Sequence, residues 1–430
     1  MMRILIKNGR VIDPANGIDG ILDIYIENET IEEVGSNLDY SGADIEQIDA
    51  SGKIVAPGLV DMHCHLREPG QEYKEDIETG TQSAAMGGFT SVACMPNTDP
   101  VVDNITVVEY IKSKAASSAC VNVFPIGAIT KGLKGEELAE IGKLKFAGVV
   151  GISDDGRPVR SPVLMRNALE YAKTFDTPVI SHCEVAELAE GSMNEGYVST
   201  LLGLKGISRA AEEIMVARDI ILAKYTGASL HIAHVSTKGS VELIRQAKKE
   251  GVNVTCETCP HYFSLTENAV MGYNTNAKMN PPLRTEADVE AIIEGLSDDT
   301  IDAIATDHAP HHEDEKNCEF DRALNGIVGF ETALSLGIEY LVKTKKLTIE
   351  RLINKMSYAP ARILGINKGT LSEGKNADIV IIDENKQRII DKNSFYSKSK
   401  NTPYHGYKLS GTVEYTIVGG KFAVREGILI

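Results

Sequence analysis

Eight short β-rich runs recur along residues 55–307, and their alternation with helix-like stretches constrains the fold more than any other feature of the chain. The runs are Val55–His63, Phe89–Met95, Val121–Ile129, Phe146–Ser153, Thr177–His182, Ser229–Val235, Val252–Glu257 and Ile301–Asp307. One strand–helix unit takes roughly 30 residues, so the longer intervals mark places where loops have grown. Between runs, Pro162–Phe175 opens with a helix-starting proline and carries Leu164, Ala168, Leu169 and Ala172 along one side. Ser208–Tyr225 places Ile214, Ala217, Ile221 and Leu222 on one face. Thr285–Leu296 has Asp288 three residues after Thr285, a capping-box start. Eight such units predict an α/β fold, a closed TIM-like (β/α)8 barrel with parallel strands buried on both sides. An open doubly wound sheet is the competing architecture, but no phosphate-binding glycine fingerprint follows the first run.

The two flanks read differently. RILIKNGRVID, DIYIENETIEEVG and IEQIDASGKIV alternate strand and turn before the barrel; GTLSEGKNADIVIID and GTVEYTIVGGKFAVREG resume that pattern after it. Residues 1–54 and 366–430 are therefore expected to pack together as one small β-sandwich domain, with the catalytic barrel, 55–365, inserted into it.

Charge and composition narrow the partners. Lys plus Arg is 44 and Asp plus Glu is 61, a net charge of −17 over 430 residues. That balance argues against nucleic acid and anionic membranes, which call for a basic footprint. No apolar run reaches the eighteen residues of a membrane span, and MMRILIKNGRVIDP is too short in apolar residues for a secretion signal. Seven scattered cysteines, an odd number, read as free thiols in a reducing cytoplasm.

The residues with chemistry gather where these runs end. Asp61-Met62-His63-Cys64-His65 closes the first. Residues i and i+2 of a strand point the same way, so His63 and His65 can meet one metal ion as neutral imidazoles. Alone, His-x-His also fits two polar residues at a strand end. But His182 ends the fifth run, His234 follows in the sixth, Asp154 and Asp155 follow the fourth, and Asp307 ends the eighth. In such a barrel all C-terminal strand ends share one face, where active sites sit. The set exceeds the three protein ligands of a single catalytic zinc and suits two metals sharing a hydroxide. Asp155 is placed to bridge them. Cys64 should point away from the metals, and His231 is off-phase and reads as structural. Cys256 and Cys259 form a CxxC with no second pair, so they read as incidental thiols. His312 reads as solvated and His405 as structural.

Taken together, PGLVDMHCHLREPG, CMPNT, ISDDG, SHCE, IAHVST, CPHY, KMNPPLR, ATDHAPH and GTVEYTIVGGK resemble the amidohydrolase superfamily. The closer resemblance is to the long, type I dihydroorotases, over essentially the whole chain. It implies two zinc ions per chain: His63 and His65 on one, His182 and His234 on the other, with Asp307 holding the first metal and shuttling protons. Many relatives bridge the metals with a carboxylated lysine after strand four; GISDDG resembles the subgroup with aspartate there, which is Asp155. Lys143 and Lys145 lie before that strand and are poor substitutes. The resemblance implies substrate contacts from His65, Arg67, Asn97, Asn280, His311 and the Asn325–Gly326 pair. Asn325 departs from the Phe-Gly that relatives often carry. Arg67, Asn97 and His311 would hold the substrate carboxylate. The implied reaction interconverts N-carbamoyl-L-aspartate and (S)-dihydroorotate in pyrimidine synthesis. A homodimer is expected, and association with aspartate carbamoyltransferase occurs in some relatives.

Two rivals stand beside it. A hydantoinase, dihydropyrimidinase or allantoinase would act on a neutral cyclic amide; Arg67 speaks against this, because a guanidinium pairs with a carboxylate. Arg67 could instead be a surface partner of Glu68 or Glu72. A non-catalytic assembly partner would have lost metal ligands, and every expected one is present.

Overall fold

The computed structural model describes residues 2–40, 42 and 44–430. Eight strands form the barrel: Leu59–Cys64, Phe89–Cys94, Asn122–Pro125, Ile152–Ser153, Val179–Ser181, Leu230–Ile232, Val254–Thr258 and Ala303–Ile304. The first three pair in parallel in chain order, as do the last five. Bridges Gly127 to Ile152 and Cys64 to His308 join the two groups and close the ring.

Two runs depart from the expected strands. Residues 55–63 divide at Gly58: Ile54–Pro57 pairs with strands of the chain ends, and Leu59–Cys64 with the barrel. A Cβ on Gly58 would lie 2.1 Å from Thr90 Oγ1, so glycine alone lets the chain pass this close to the second strand. In the fourth run, Phe146 belongs to the helix Ile141–Ala147, which Gly148 ends in the left-handed conformation; only Ile152–Ser153 is strand. Phe146 is exposed on that helix, so its apolar character misled the strand assignment.

The helices largely follow their signals. Pro162–Lys173 buries Met165, Ala168, Leu169 and Ala172. Glu286–Ser297 starts at Thr285, whose backbone N–H donates to Asp288 at 3.2 Å. Ala210–Thr226, however, turns a different face inward. It buries Glu212, Met215, Val216, Asp219 and Ala223, while Ile214 and Ile221 are exposed.

Strands from both chain ends form one nine-stranded sheet. Ile54–Pro57 lies at its middle, parallel to Arg3–Asp13 on one side and antiparallel to Ile379–Ile389 on the other. Ile18–Glu27 and Thr30–Gly35 extend one flank; Lys408–Val418, Lys421–Arg425 and Ile428–Leu429 extend the other, and Ile45–Asp49 also pairs with Arg3–Asp13. This sheet has its own apolar cluster, which includes Ile4, Ile24, Ile26, Ile379, Ile381 and Ile417. No helix among the described residues is long and apolar enough to cross a membrane.

Candidate metal centre and active site

The barrel brings all six expected metal ligands to one place. His63 Nε2 lies 3.3 Å from Asp155 Oδ1 and 3.7 Å from Asp307 Oδ1. His65 Nε2 lies 3.1 Å from Asp307 Oδ1 and 3.5 Å from Asp155 Oδ2. His182 Nδ1 and His234 Nε2 are 2.7 Å apart, each 3.7 Å from Asp155 Oδ1. Asp155 thus stands among the four imidazoles. His63–Asp155–His234 and His63–His65–Asp307 each converge closely enough to hold an ion.

The electrostatics suit cations. Burial alone would raise the Asp155 carboxyl, but the surrounding imidazoles, His63 foremost, hold it well below the usual carboxylate range. Asp307 is lowered in the same way, against burial, by the His65 hydrogen bond and the nearby His63. Burial would lower His63, yet Asp155 and Glu257 raise it well above its ordinary value. The field that favours a proton there would equally favour a metal ion. His63 Nε2 and His182 Nε2 are buried without a hydrogen-bond partner; such groups are costly unless a ligand satisfies them. The donor set of imidazoles and carboxylates fits zinc.

Supporting residues fix the ligands. His63 Nδ1 is 2.6 Å from Glu257 Oε1, and Glu257 Oε2 is 3.3 Å from His231 Nε2. His231 in turn meets Thr255 Oγ1 at 2.8 Å. Glu257 and its link to His63 were missed in the sequence, although Glu257 closes the seventh run as the nominated residues close theirs. Asp61 accepts from the Thr306 N–H at 3.0 Å and the His63 N–H at 3.3 Å, tying strand eight to strand one. Burial pushes its carboxyl up to about 7, against those hydrogen bonds. Asp154 turns away from the cluster and accepts from the Ile129 and Thr130 N–H groups at 2.8 and 3.0 Å. His65 Nδ1 meets Asn97 Oδ1 at 2.9 Å, and Asn97 Nδ2 donates to Asp155 at 3.3 Å. Cys64 points away from the cluster, towards Ala93 O. Lys143 is exposed on the helix Ile141–Ala147 and pairs with Glu140.

Beside the cluster lies a cavity of about 240 Å³, lined by His65, Arg67, Asn97, Asn280, His311, Asn325 and Gly326 together with Asp155, His182, His234 and Asp307. Arg67 is buried, not a surface partner of Glu68, which accepts from the Ile77 N–H and Tyr110 Oη instead. Arg67 Nε donates to Pro310 O at 3.1 Å, and Nη2 is 3.4 Å from His311 Nε2. His311 Nε2 also meets Asn325 O at 2.7 Å. Burial, then the Arg67 charge, press the His311 imidazole far down, so it is neutral. Asn325 therefore enters the site through its backbone carbonyl. Gly326 has φ 141°, and a Cβ there would lie 2.7 Å from Ala309 O, so glycine is required beside His311. Asn280 Oδ1 is buried and unpaired. His312 caps the helix Glu313–Lys316 at the surface, and His405 is exposed, accepting from the Lys392 N–H at 3.2 Å.

A barrel that presents histidines and aspartates from strands one, four, five, six and eight, with a sheet built from both chain ends, defines the amidohydrolase class. Comparison with known proteins agrees. Residues 52–240 match the dihydro-orotase-like family and residues 287–424 the amidohydrolase family. Dihydroorotase of Acetivibrio thermocellus is 65% identical over 99% of this chain and 100% of its own length. That of Ruminiclostridium cellulolyticum is 59% identical over all of both chains. Among solved structures, the L-hydantoinase (dihydropyrimidinase) of Arthrobacter aurescens superposes with a TM-score of 0.91 at 27% identity, covering 100% of this chain and 98% of that one. The chain belongs to the dihydroorotase family.

Proposed function

We propose that this protein is a dinuclear-zinc cyclic amide hydrolase that interconverts N-carbamoyl-L-aspartate and (S)-dihydroorotate in de novo pyrimidine (UMP) synthesis. The observation that carries the substrate assignment is Arg67: a buried guanidinium facing the cluster, with Nε donating to Pro310 O and Nη2 3.4 Å from His311 Nε2. A buried cation without an anion is costly, and the carboxylate of dihydroorotate supplies one. Neutral hydantoin and dihydrouracil rings do not.

In this reading His63, His65 and Asp307 would hold one zinc and His182 and His234 the other, with Asp155 the carboxylate available to both. Zinc ions so held would supply a hydroxide nucleophile near neutral pH and an electrophile for the amide carbonyl. Asp307, kept ionised by its imidazole neighbours, accepts the nucleophile's proton during hydrolysis and returns it to the departing ring nitrogen. Ring closure runs the same transfer backwards. Arg67, Asn97 and His311 orient the carboxylate, while Asn280, Asn325 and Gly326 flank the ring. Glu257 keeps the His63 ring turned so that Nε2 faces the metals.

The seven cysteines are unpaired, which supports a reducing, cytoplasmic setting. A homodimer, with aspartate carbamoyltransferase as a further partner, completes the reading. Exposed Phe146, Ile221 and Tyr225 on the outer helices offer apolar surface of the kind subunit contacts use. The deciding experiment measures turnover of dihydroorotate, hydantoin, dihydrouracil and allantoin side by side, with a zinc count on the same sample. Dihydroorotate should dominate, with two zinc equivalents per chain; preferential turnover of a neutral ring would overturn the assignment.

A further inference from the structure

A third convergence of donors shares Asp307 with the cluster. Cys259 Sγ, a ring nitrogen of His261 and a carboxylate oxygen of Asp307 all lie within 4.8 Å of one another. Neither Cys259 nor His261 belongs to the ligand sets above. Strand seven ends at Thr258, so Cys259 and the short helix Pro260–Ser264 follow directly and bring both side chains close to Asp307. Cys259 is 0% and His261 1% exposed, and His261 Nε2 has no hydrogen-bond partner. A buried imidazole with an unpaired nitrogen thus stands with a thiol and a carboxylate, three donors of the kinds that ligate zinc. Zn–S and Zn–N bonds of about 2.3 and 2.0 Å need these donors to close by only about 1 Å.

We propose that Cys259, His261 and Asp307 form a third, inhibitory metal position, selective for sulfur-preferring divalent cations such as Cd²⁺ or excess Zn²⁺. Occupation engages Asp307 and so withdraws it from proton transfer; this inhibitory half rests on the role proposed for Asp307 above. The chemistry of the sulfur donor supports the selectivity. The thiolate supplies the negative charge that a third cation beside two others needs. A bound cation must displace the thiol proton to solvent, which sulfur-preferring ions do and Mg²⁺ or Ca²⁺ do not.

The test adds Cd²⁺ to the whole protein already loaded with two zinc equivalents. Ultraviolet thiolate-to-cadmium charge transfer and dihydroorotate turnover are followed together. Native protein should develop the band with one further equivalent while turnover falls at least tenfold. Cys259→Ala should keep its untreated turnover, form no band and resist the added ion; Cys259→Ser, which retains the side-chain volume, should do the same. Absence of the band in native protein, or its persistence in both variants, overturns the site. A full band with undiminished turnover overturns the inhibition. If dihydroorotate is not a substrate at all, the band and its loss in the variants still report the site, so that failure belongs to the activity alone.

Discussion

Arg67, His234 and Asp307 sit on left-handed backbone, at φ 62°, 36° and 46°. Such a conformation costs a non-glycine residue about 1–3 kcal/mol, and it occurs here at three side chains aimed into one cavity. The strain is held because each backbone turn re-aims a side chain as a strand gives way to its loop. These residues predict distinct failures. Arg67→Met should lower kcat/KM for dihydroorotate by 30-fold or more, since breaking a buried charged pair costs roughly 2–5 kcal/mol. Zinc content should stay at the native level; unchanged turnover would return the pocket to neutral rings. Asp307→Asn keeps the size and one oxygen but cannot carry a proton. It should retain much of its metal and lose nearly all turnover in both directions, and near-native kcat in either direction would exclude Asp307 as the proton carrier. The ligand candidates were legible because each is a histidine or aspartate closing a strand, and a barrel puts those ends together. Glu257 and His261 were not: their work depends on a neighbour more than forty residues away in sequence, at His63 and Asp307 respectively. No spacing rule within one strand reports that.

One buried ammonium group ties the loops above the barrel together at three carbonyls. Lys316 Nζ donates to Lys278 O at 3.2 Å, Leu324 O at 2.7 Å and Gly326 O at 3.1 Å. It therefore clamps the segment leading to Asn280 against the segment carrying Asn325 and Gly326. Three carbonyl acceptors need all three protons of a charged amine, although burial pushes that amine down to about 7. Lys316→Met should raise KM for dihydroorotate about tenfold, as expected for losing hydrogen bonds from a charged donor worth about 1.5–3 kcal/mol. Zinc binding should be unaffected; an unchanged KM would show that the loops hold themselves. The helix Ala210–Thr226 shows why element faces were harder to read than element positions. Its inward stripe includes Glu212, which accepts from the Ser236 and Thr237 N–H groups at 3.1 and 3.2 Å, and Asp219, which accepts from Ser181 Oγ at 2.7 Å. Both acids secure strand-end loops. Periodicity of apolar residues alone places charges outward, so it chose Ile214 and Ile221, which face solvent.

Across the whole molecule, the join between barrel and chain-end segments contains a buried acid. Glu331, in the helix Phe330–Gly337, accepts from Ser83 Oγ at 2.9 Å and from the Tyr396 N–H at 2.7 Å. Burial raises its carboxyl to about 7. Because the folded value lies above the unfolded one, the native state holds a proton that the unfolded chain releases between about pH 4.5 and 7. The resulting stability is fully present below about pH 4.5 and is lost as pH climbs through 7, on the order of 3 kcal/mol. Glu331→Gln keeps the acceptor and removes the titration. Between about pH 5 and pH 8 its Tm should fall less than that of the native protein; parallel curves would show that Glu331 does not titrate there. The barrel as a class was legible from eight alternations, and so was a shared β-domain from the two flanks. The position of Ile54–Pro57 was not, because its partners come from opposite ends of the chain. That strand has a consequence for how the protein is made. A ribosome releases Ile54–Pro57 and the entire barrel before Ile379–Ile389, so a nascent chain carries one apolar strand edge open through most of its synthesis. Fragments ended before residue 379 should accumulate as aggregates even with all eight barrel strands present, which makes the last stretch of translation the step that renders this molecule safe in a crowded cell.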